Sequence, residues 1–99
     1  MIRHDEDACR YEAVDSQGQV MGWLGYRDDD IPGGSGHIVI YTTHTAPEHR
    51  GRGVAGLLTR RCLDDCIAAQ RTVDTACWYA AEFVQRHPQY QLHVAAADF

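Results

Sequence analysis

With 99 residues, 44% of them hydrophobic and 23% charged, the chain has the makings of one domain with its own core and little room for a second site. No stretch approaches the roughly 18 uninterrupted apolar residues of a membrane span, and a net charge of −5 argues against a broad nucleic-acid surface. The opening run Met1-Ile2-Arg3-His4-Asp5-Glu6-Asp7 lacks the basic-then-apolar profile of an export signal, so a cytoplasmic protein is expected.

Residues 9–15 alternate in the manner of a strand, Ser16-Gln17-Gly18-Gln19 supplies a turn, and Val20–Tyr26 reads as a second strand. Together they predict an antiparallel hairpin. Arg27–Gly36 carries three aspartates, a proline and three glycines and reads as a loop, while the β-branched run His37–Thr43 reads as a buried third strand. From Val54, the residues Leu57, Leu58, Cys62, Cys66 and Ala69 recur at three- and four-residue spacing, which predicts an amphipathic helix ending near Gln70 or Arg71. Thr72–Trp78 is a candidate fourth strand, Tyr79–His87 a second helix stopped by Pro88, and Tyr90–Val94 a candidate edge strand. The expected fold is therefore mixed α/β, a short sheet opening with an antiparallel hairpin and two helices packed on it, in a single domain with its core between about residues 9 and 94.

Charge is unevenly placed along this chain. Acids gather at Asp5–Asp7, Asp28–Asp30 and Asp64-Asp65, and a basic cluster of Arg50, Arg52, Arg60 and Arg61 sits in the middle. That pattern suits a small anionic ligand better than a polyanion. The four cysteines, Cys9, Cys62, Cys66 and Cys77, include no Cys-x-x-Cys pair, and in a reducing compartment they read as free thiols. Cys62 and Cys66 share the apolar stripe, so core packing rather than a metal is expected of them.

The segment Pro47-Glu48-His49-Arg50-Gly51-Arg52-Gly53-Val54-Ala55-Gly56 lies between a buried strand and a helix start. Closely spaced glycines let the backbone turn tightly and aim several N–H groups into one concavity. The helix beginning there adds unpaired donors and the positive end of its dipole, which makes a phosphate site. Gly51-x-Gly53-x-x-Gly56 also satisfies the dinucleotide fingerprint, with Asp74 near the position of a ribose-binding acid. Against that reading stand the five-residue spacer 45–49 after the strand, the preceding hairpin and the short chain.

Arg50-x-x-Gly53-x-Ala55 resembles the pyrophosphate-loop signature of GNAT acetyltransferases. Arg10-Tyr11-Glu12, Gly22-x-Leu24-x-Tyr26, Cys77-x-Tyr79 and Arg86-His87-Pro88-x-Tyr90 extend the likeness, in order, to the minimal, YidJ-like branch of that superfamily. The resemblance implies an N-acetyltransferase that moves an acetyl group from acetyl-coenzyme A to an amine acceptor, or else a coenzyme A-binding module without catalysis. It implies pyrophosphate on the backbone of Arg50, Gly51, Arg52, Gly53, Val54 and Ala55, and pantetheine along the strand at Tyr41 and Thr42. Arg52 and Arg60 are further candidates for the coenzyme phosphates. Catalytic candidates are Cys77, as a possible acetyl carrier in place of direct attack, Thr43 at the strand end, and Tyr79 as proton donor to the leaving thiolate. His44 and Glu48 could act as bases, though each reads first as a solvated residue before the loop. No metal is called for. The acidic 28–30 loop could attract a primary amine or serve only to solubilise the chain, and a protein partner or second copy could complete so small an acceptor pocket.

Overall fold

A computed structural model describes residues 1–29 and 36–91. Strands β1 (Ile2–Asp5), β2 (Arg10–Val14), β3 (Val20–Asp29) and β4 (His37–Thr45) precede a 3-10 turn (Pro47–His49) and helix α1 (Val54–Ala68). Strand β5 (Thr72–Thr75) and helices α2 (Trp78–Arg86) and α3 (Pro88–Gln91) follow. The sheet runs β1-β2-β3-β4-β5. Its first four strands are antiparallel, and β5 joins β4 in parallel after the α1 crossover. This is the expected mixed α/β architecture.

The hairpin between β2 and β3 closes because Asp15 organises its own turn. Its carboxylate accepts hydrogen bonds from the Gln17 and Gln19 amides at 2.8 and 2.9 Å, and Gly18 takes the left-handed conformation, φ 81°, that the reversal requires. Alternation along the strands then sends Tyr11, Ala13, Leu24, Tyr26, Ile38, Ile40 and Val73 into one core with Leu58, Cys62, Leu63 and Cys66 of α1. Helix α2 lies beside α1. Tyr79 and Phe83 of α2 face Gly56 of α1, where a Cβ would make only ordinary contacts, 3.4 Å from the Tyr79 hydroxyl and 3.8 Å from Phe83. Two tyrosine hydroxyls brace α1, Tyr11 of β2 donating to Asp65 at 2.8 Å and Tyr90 of the last helix to Asp64 at 2.7 Å.

Several boundaries differ from the expected ones. The N-terminal run, read only for its charge, forms β1: Ile2 pairs with Ala13, and Arg3 meets Glu12 at 2.7 Å. The supposed loop from Arg27 begins as strand, because Arg27 and Asp28 pair with Val39 and Ile38 through backbone groups that are indifferent to the side-chain charge. Residues 30–35 of that segment lie outside the described residues. Strand β5 stops at Thr75 instead of Trp78, so Trp78 opens α2 and the helix ends at Arg86, one residue earlier than read.

Tyr90 sits in α3 rather than in an edge strand. Pro88 starts that helix, as a proline lacking its N–H is free to do at a first helical position. Residues 92–94 of the proposed strand lie outside the described residues. On α1, Leu57 is 55% exposed and Ala69 also faces solvent, whereas Leu63 and Thr59 are buried in their place. The Thr59 hydroxyl is satisfied by donating to the Ala55 carbonyl at 2.8 Å.

Candidate acetyl-transfer cleft

The sheet parts between β4 and β5. The two strands pair from His37–Thr72 to Ile40–Thr75. Immediately beyond, the amides of Ala76 and Cys77 both donate to the Ile40 carbonyl, at 2.8 and 3.2 Å. Two donors on one acceptor mark the point where the chain leaves the ladder and turns into α2. Strand β4 continues to Thr45, paired on that stretch with β3.

The register between β3 and β4 shifts at the same place. Tyr26 opposes Ile40 and Gly25 opposes Thr42, which leaves Tyr41 as an extra residue. A bulge of this kind bends its strand and sharpens the twist, so the divergence is built into β4 itself. The space it opens is about 540 Å³, lined by residues 41–45 of β4, by Arg50 and Ala55 of the loop and α1, and by residues 76–79.

The glycine loop closes one end of this cleft. Gly51 and Gly53 both have positive φ, 83° and 73°, and Gly53 is the N-cap of α1 with no side-chain cap bond. An added Cβ at either would meet nothing within 4 Å, so glycine is needed there for backbone conformation and not for space. The first-turn amides of α1 are consequently left with the helix dipole and no side-chain partner, which favours an anion. Gly22 of β3 has the opposite reason. A Cβ there would lie 2.6 Å from the His44 carbonyl oxygen and 2.9 Å from Val54 Cγ1, so its absence seats the start of α1 on the sheet.

Each residue singled out in the sequence can now be placed. Cys77 is buried, caps α2 in an extended conformation, and its Sγ lies 3.8 Å from Thr43 Oγ1 in a contact that either atom can donate. Tyr79, Tyr41, Thr42, Arg50 and Ala55 line the same cleft. Burial, followed by the charge of Glu82, raises the Tyr79 phenol above its ordinary pKa against a smaller lowering by Arg86, so the hydroxyl stays a proton donor. Val54 turns its side chain into the core and offers the site only backbone.

Arg52 is exposed outside the lining, and the Arg60 guanidinium stands 5.8 Å over the Phe83 ring instead of facing the cleft. Glu48 is also exposed outside the lining, whereas His44 borders it, its ring 6.0 Å from that of Trp23. Trp78 is a lining residue that the sequence reading passed over by assigning it to a strand end. Its signal was an aromatic directly after Cys77 at a helix start.

All four cysteines are free thiols, with Cys62 and Cys66 buried in the core. Among the described residues no group of three or more His, Cys, Asp or Glu side chains could hold a metal ion, and no helix is long and apolar enough to cross a membrane. A second cavity of about 350 Å³ lies further along α1, beside Tyr11, Cys62, Cys66 and Arg71. The polar tips of its aromatic walls are already engaged, His4 with the Tyr26 hydroxyl at 2.7 Å and Tyr11 with Asp65. The parted sheet, with a glycine-capped helix at its mouth, therefore holds the arrangement suited to acyl transfer from a phosphate-bearing donor.

The comparisons agree with that class. The family model described as GCN5-related N-acetyl-transferase matches residues 10–93. The chain belongs to this family and is an N-acetyltransferase of the GNAT type. Among solved structures it is similar to a GCN5-like protein from Staphylococcus aureus, at TM-score 0.70 and 19% identity over 95% of this chain and 86% of that one. It also resembles a ribosomal-protein-alanine N-acetyltransferase from Brucella melitensis, at TM-score 0.60 and 19% identity over 91% of this chain and 64% of that one. A third likeness is to Naa20 of Chaetomium thermophilum, solved with a bisubstrate analogue, at TM-score 0.53 and 25% identity over 68% of this chain and 40% of that one. No curated protein matches the chain.

Proposed function

We propose that the cleft binds acetyl-coenzyme A and passes its acetyl group to an amine. The observation that carries this is the parting of β4 from β5 after Ile40, with Gly53 capping α1 at the same opening. The pyrophosphate rests on the backbone N–H groups of residues 50–55, as the anion preference of an uncapped helix start supports. Pantetheine runs along the free side of β4 at residues 41–45 as an added strand would, and the acetyl group points toward Cys77 and Tyr79.

Two routes follow from this placement. In one, the amine attacks the thioester directly. In the other, the Cys77 sulfur attacks first, the coenzyme leaves as its thiol, and the amine then takes the acetyl group from Cys77. In both, the Tyr79 hydroxyl gives a proton to the departing coenzyme sulfur and is reprotonated by the proton that the amine loses. A coenzyme-binding module without turnover is the second reading, distinguished by binding that produces no acetylated amine.

Thermal unfolding with acetyl-coenzyme A, coenzyme A, NAD and ATP tests the cofactor. A ligand at 100 times its Kd stabilises the fold by about 2.7 kcal/mol. For a chain of this size that is a rise in Tm of roughly 10–20 °C. Stabilisation by both coenzyme A forms, lost in Gly53→Glu, is expected. Stabilisation by NAD alone would refute the proposal.

A further inference from the structure

The cleft carries information about the acceptor as well as the donor. Five large hydrophobic residues are exposed among the described residues, Met1, Val20, Tyr41, Leu57 and Trp78. The two aromatic ones, Trp78 at 76% and Tyr41 at 52% exposure, both line this one cleft. Trp78 follows Cys77 in the chain, opens α2 and stands with its indole at 6.1 Å from the Tyr79 ring. Tyr41 is the bulge residue, and its ring lies over Gly25 of β3, where a Cβ would come within 2.9 Å of Tyr41 Cζ and Oη. Gly25 thus leaves a bare patch of backbone on which that ring rests. Two large aromatic side chains of the one cleft thus remain open to solvent.

The polar groups of the lining point to the same answer. Residues 41–45, Arg50, Ala55 and residues 76–79 supply hydroxyls, one thiol, one imidazole and one guanidinium, and no carboxylate. Glu82, one turn along α2, is paired with Arg86 at 2.6 Å. An alkylamine with a pKa near that of lysine, about 10.4, is neutral in only about one molecule per few thousand at pH 7. Among the described lining residues its ammonium form would find no acid to hold it. An aromatic amine has its lone pair delocalised into the ring, is already neutral at pH 7, and offers a plane to stack on indole and phenol.

Resting on the assignment of the cleft as the acetyl-transfer site, we propose that the acceptor is an aromatic amine held between Trp78 and Tyr41. Its nitrogen lone pair forms the new C–N bond at the thioester carbonyl and the C–S bond breaks. The sulfur keeps the electron pair and takes up the proton that the nitrogen loses.

Two isomeric amines test this, 4-methylaniline and benzylamine, which differ in whether the nitrogen is bonded to the ring. Each is offered with acetyl-coenzyme A at pH 7, alongside a lysine-containing peptide, with product measured by mass spectrometry above the enzyme-free rate. The expected result is a kcat/KM for 4-methylaniline at least tenfold above that for the other two. In Trp78→Ala, its KM should rise about tenfold while the Kd for coenzyme A is unchanged, with Trp78→Phe recovering most of the loss. Because Trp78 is exposed, the substitution should leave Tm within about 2 °C. Equal or faster acetylation of benzylamine or the peptide overturns the inference while leaving the acetyltransferase assignment in place. So does a Trp78→Ala variant that weakens coenzyme binding or leaves 4-methylaniline kinetics unaltered. Failure of coenzyme A to bind at all overturns both.

Discussion

At the scale of single residues, chemistry and conformation separate cleanly. Cys77 and Thr43 come from distant parts of the chain and meet at 3.8 Å, so one thiol among four is set apart by its position. If the acetyl group passes through it, intact mass after exposure to acetyl-coenzyme A should show one added acetyl group, and Cys77→Ala should abolish both adduct and turnover. An unmodified protein with activity surviving Cys77→Ala selects direct attack. Tyr79→Phe should lower kcat by about 10²-fold with little change in coenzyme binding, the scale of a lost general acid.

Asp15 provides a pH-dependent contact. Its backbone hydrogen bonds from Gln19 and Gln17 hold the carboxyl below its ordinary pKa of 3.8. A depressed folded pKa means that the contribution is present above the unfolded value and lost as pH falls through the folded one. The Tm advantage of the natural chain over Asp15→Asn should therefore be full at pH 7 and vanish in acid below the carboxylate range.

At the scale of elements, α1 serves two masters. Its inner face anchors the core through Leu58, which is fully buried, and its first turn forms one end of the cleft. Leu58→Ala should cost about 2–5 kcal/mol, read by denaturant titration. Gly22→Val should act at the other end. A Cβ between the His44 carbonyl and Val54 pushes the start of α1 off the sheet, so coenzyme affinity should fall together with stability. The sequence showed this helix clearly, yet misjudged its face by placing Leu57 and Ala69 inward. Three- and four-residue spacing defines a stripe but not where its centre falls, and only the contact with β2–β5 decided between Leu57 and Leu63. The strand ends were less legible still. Thr72–Trp78 is continuous by composition, and the break after Thr75 exists because Ala76 and Cys77 turn onto the Ile40 carbonyl.

At the scale of the whole molecule, the proposed function rests on a sheet that does not stay closed. Four antiparallel strands and one parallel strand share a core on the face that carries α1 and α2. The fifth strand then departs, leaving part of β4 with one neighbour. Hydrogen exchange should register this. Adding coenzyme A should slow exchange at cleft-facing amides within residues 41–45 and at the first turn of α1, and leave the β1–β2 pair unchanged. Uniform protection across the sheet would instead indicate general stabilisation without a ligand in the gap.

The sequence by itself determined the glycine-rich turn of the Arg50–Ala55 segment, the β2–β3 hairpin and the helical periodicity of α1. Glycine spacing, turn chemistry and periodicity are local properties, and the run of family motifs is written in order along the chain. Tertiary structure decided which side chains share the cleft. It brought Thr43 to Cys77, moved Arg60 onto Phe83, left Arg52 outside, and exposed Trp78 in the cleft that Tyr41 also lines. Those outcomes depend on where β4 bulges and where β5 lets go, and both are set by pairing between segments far apart in sequence.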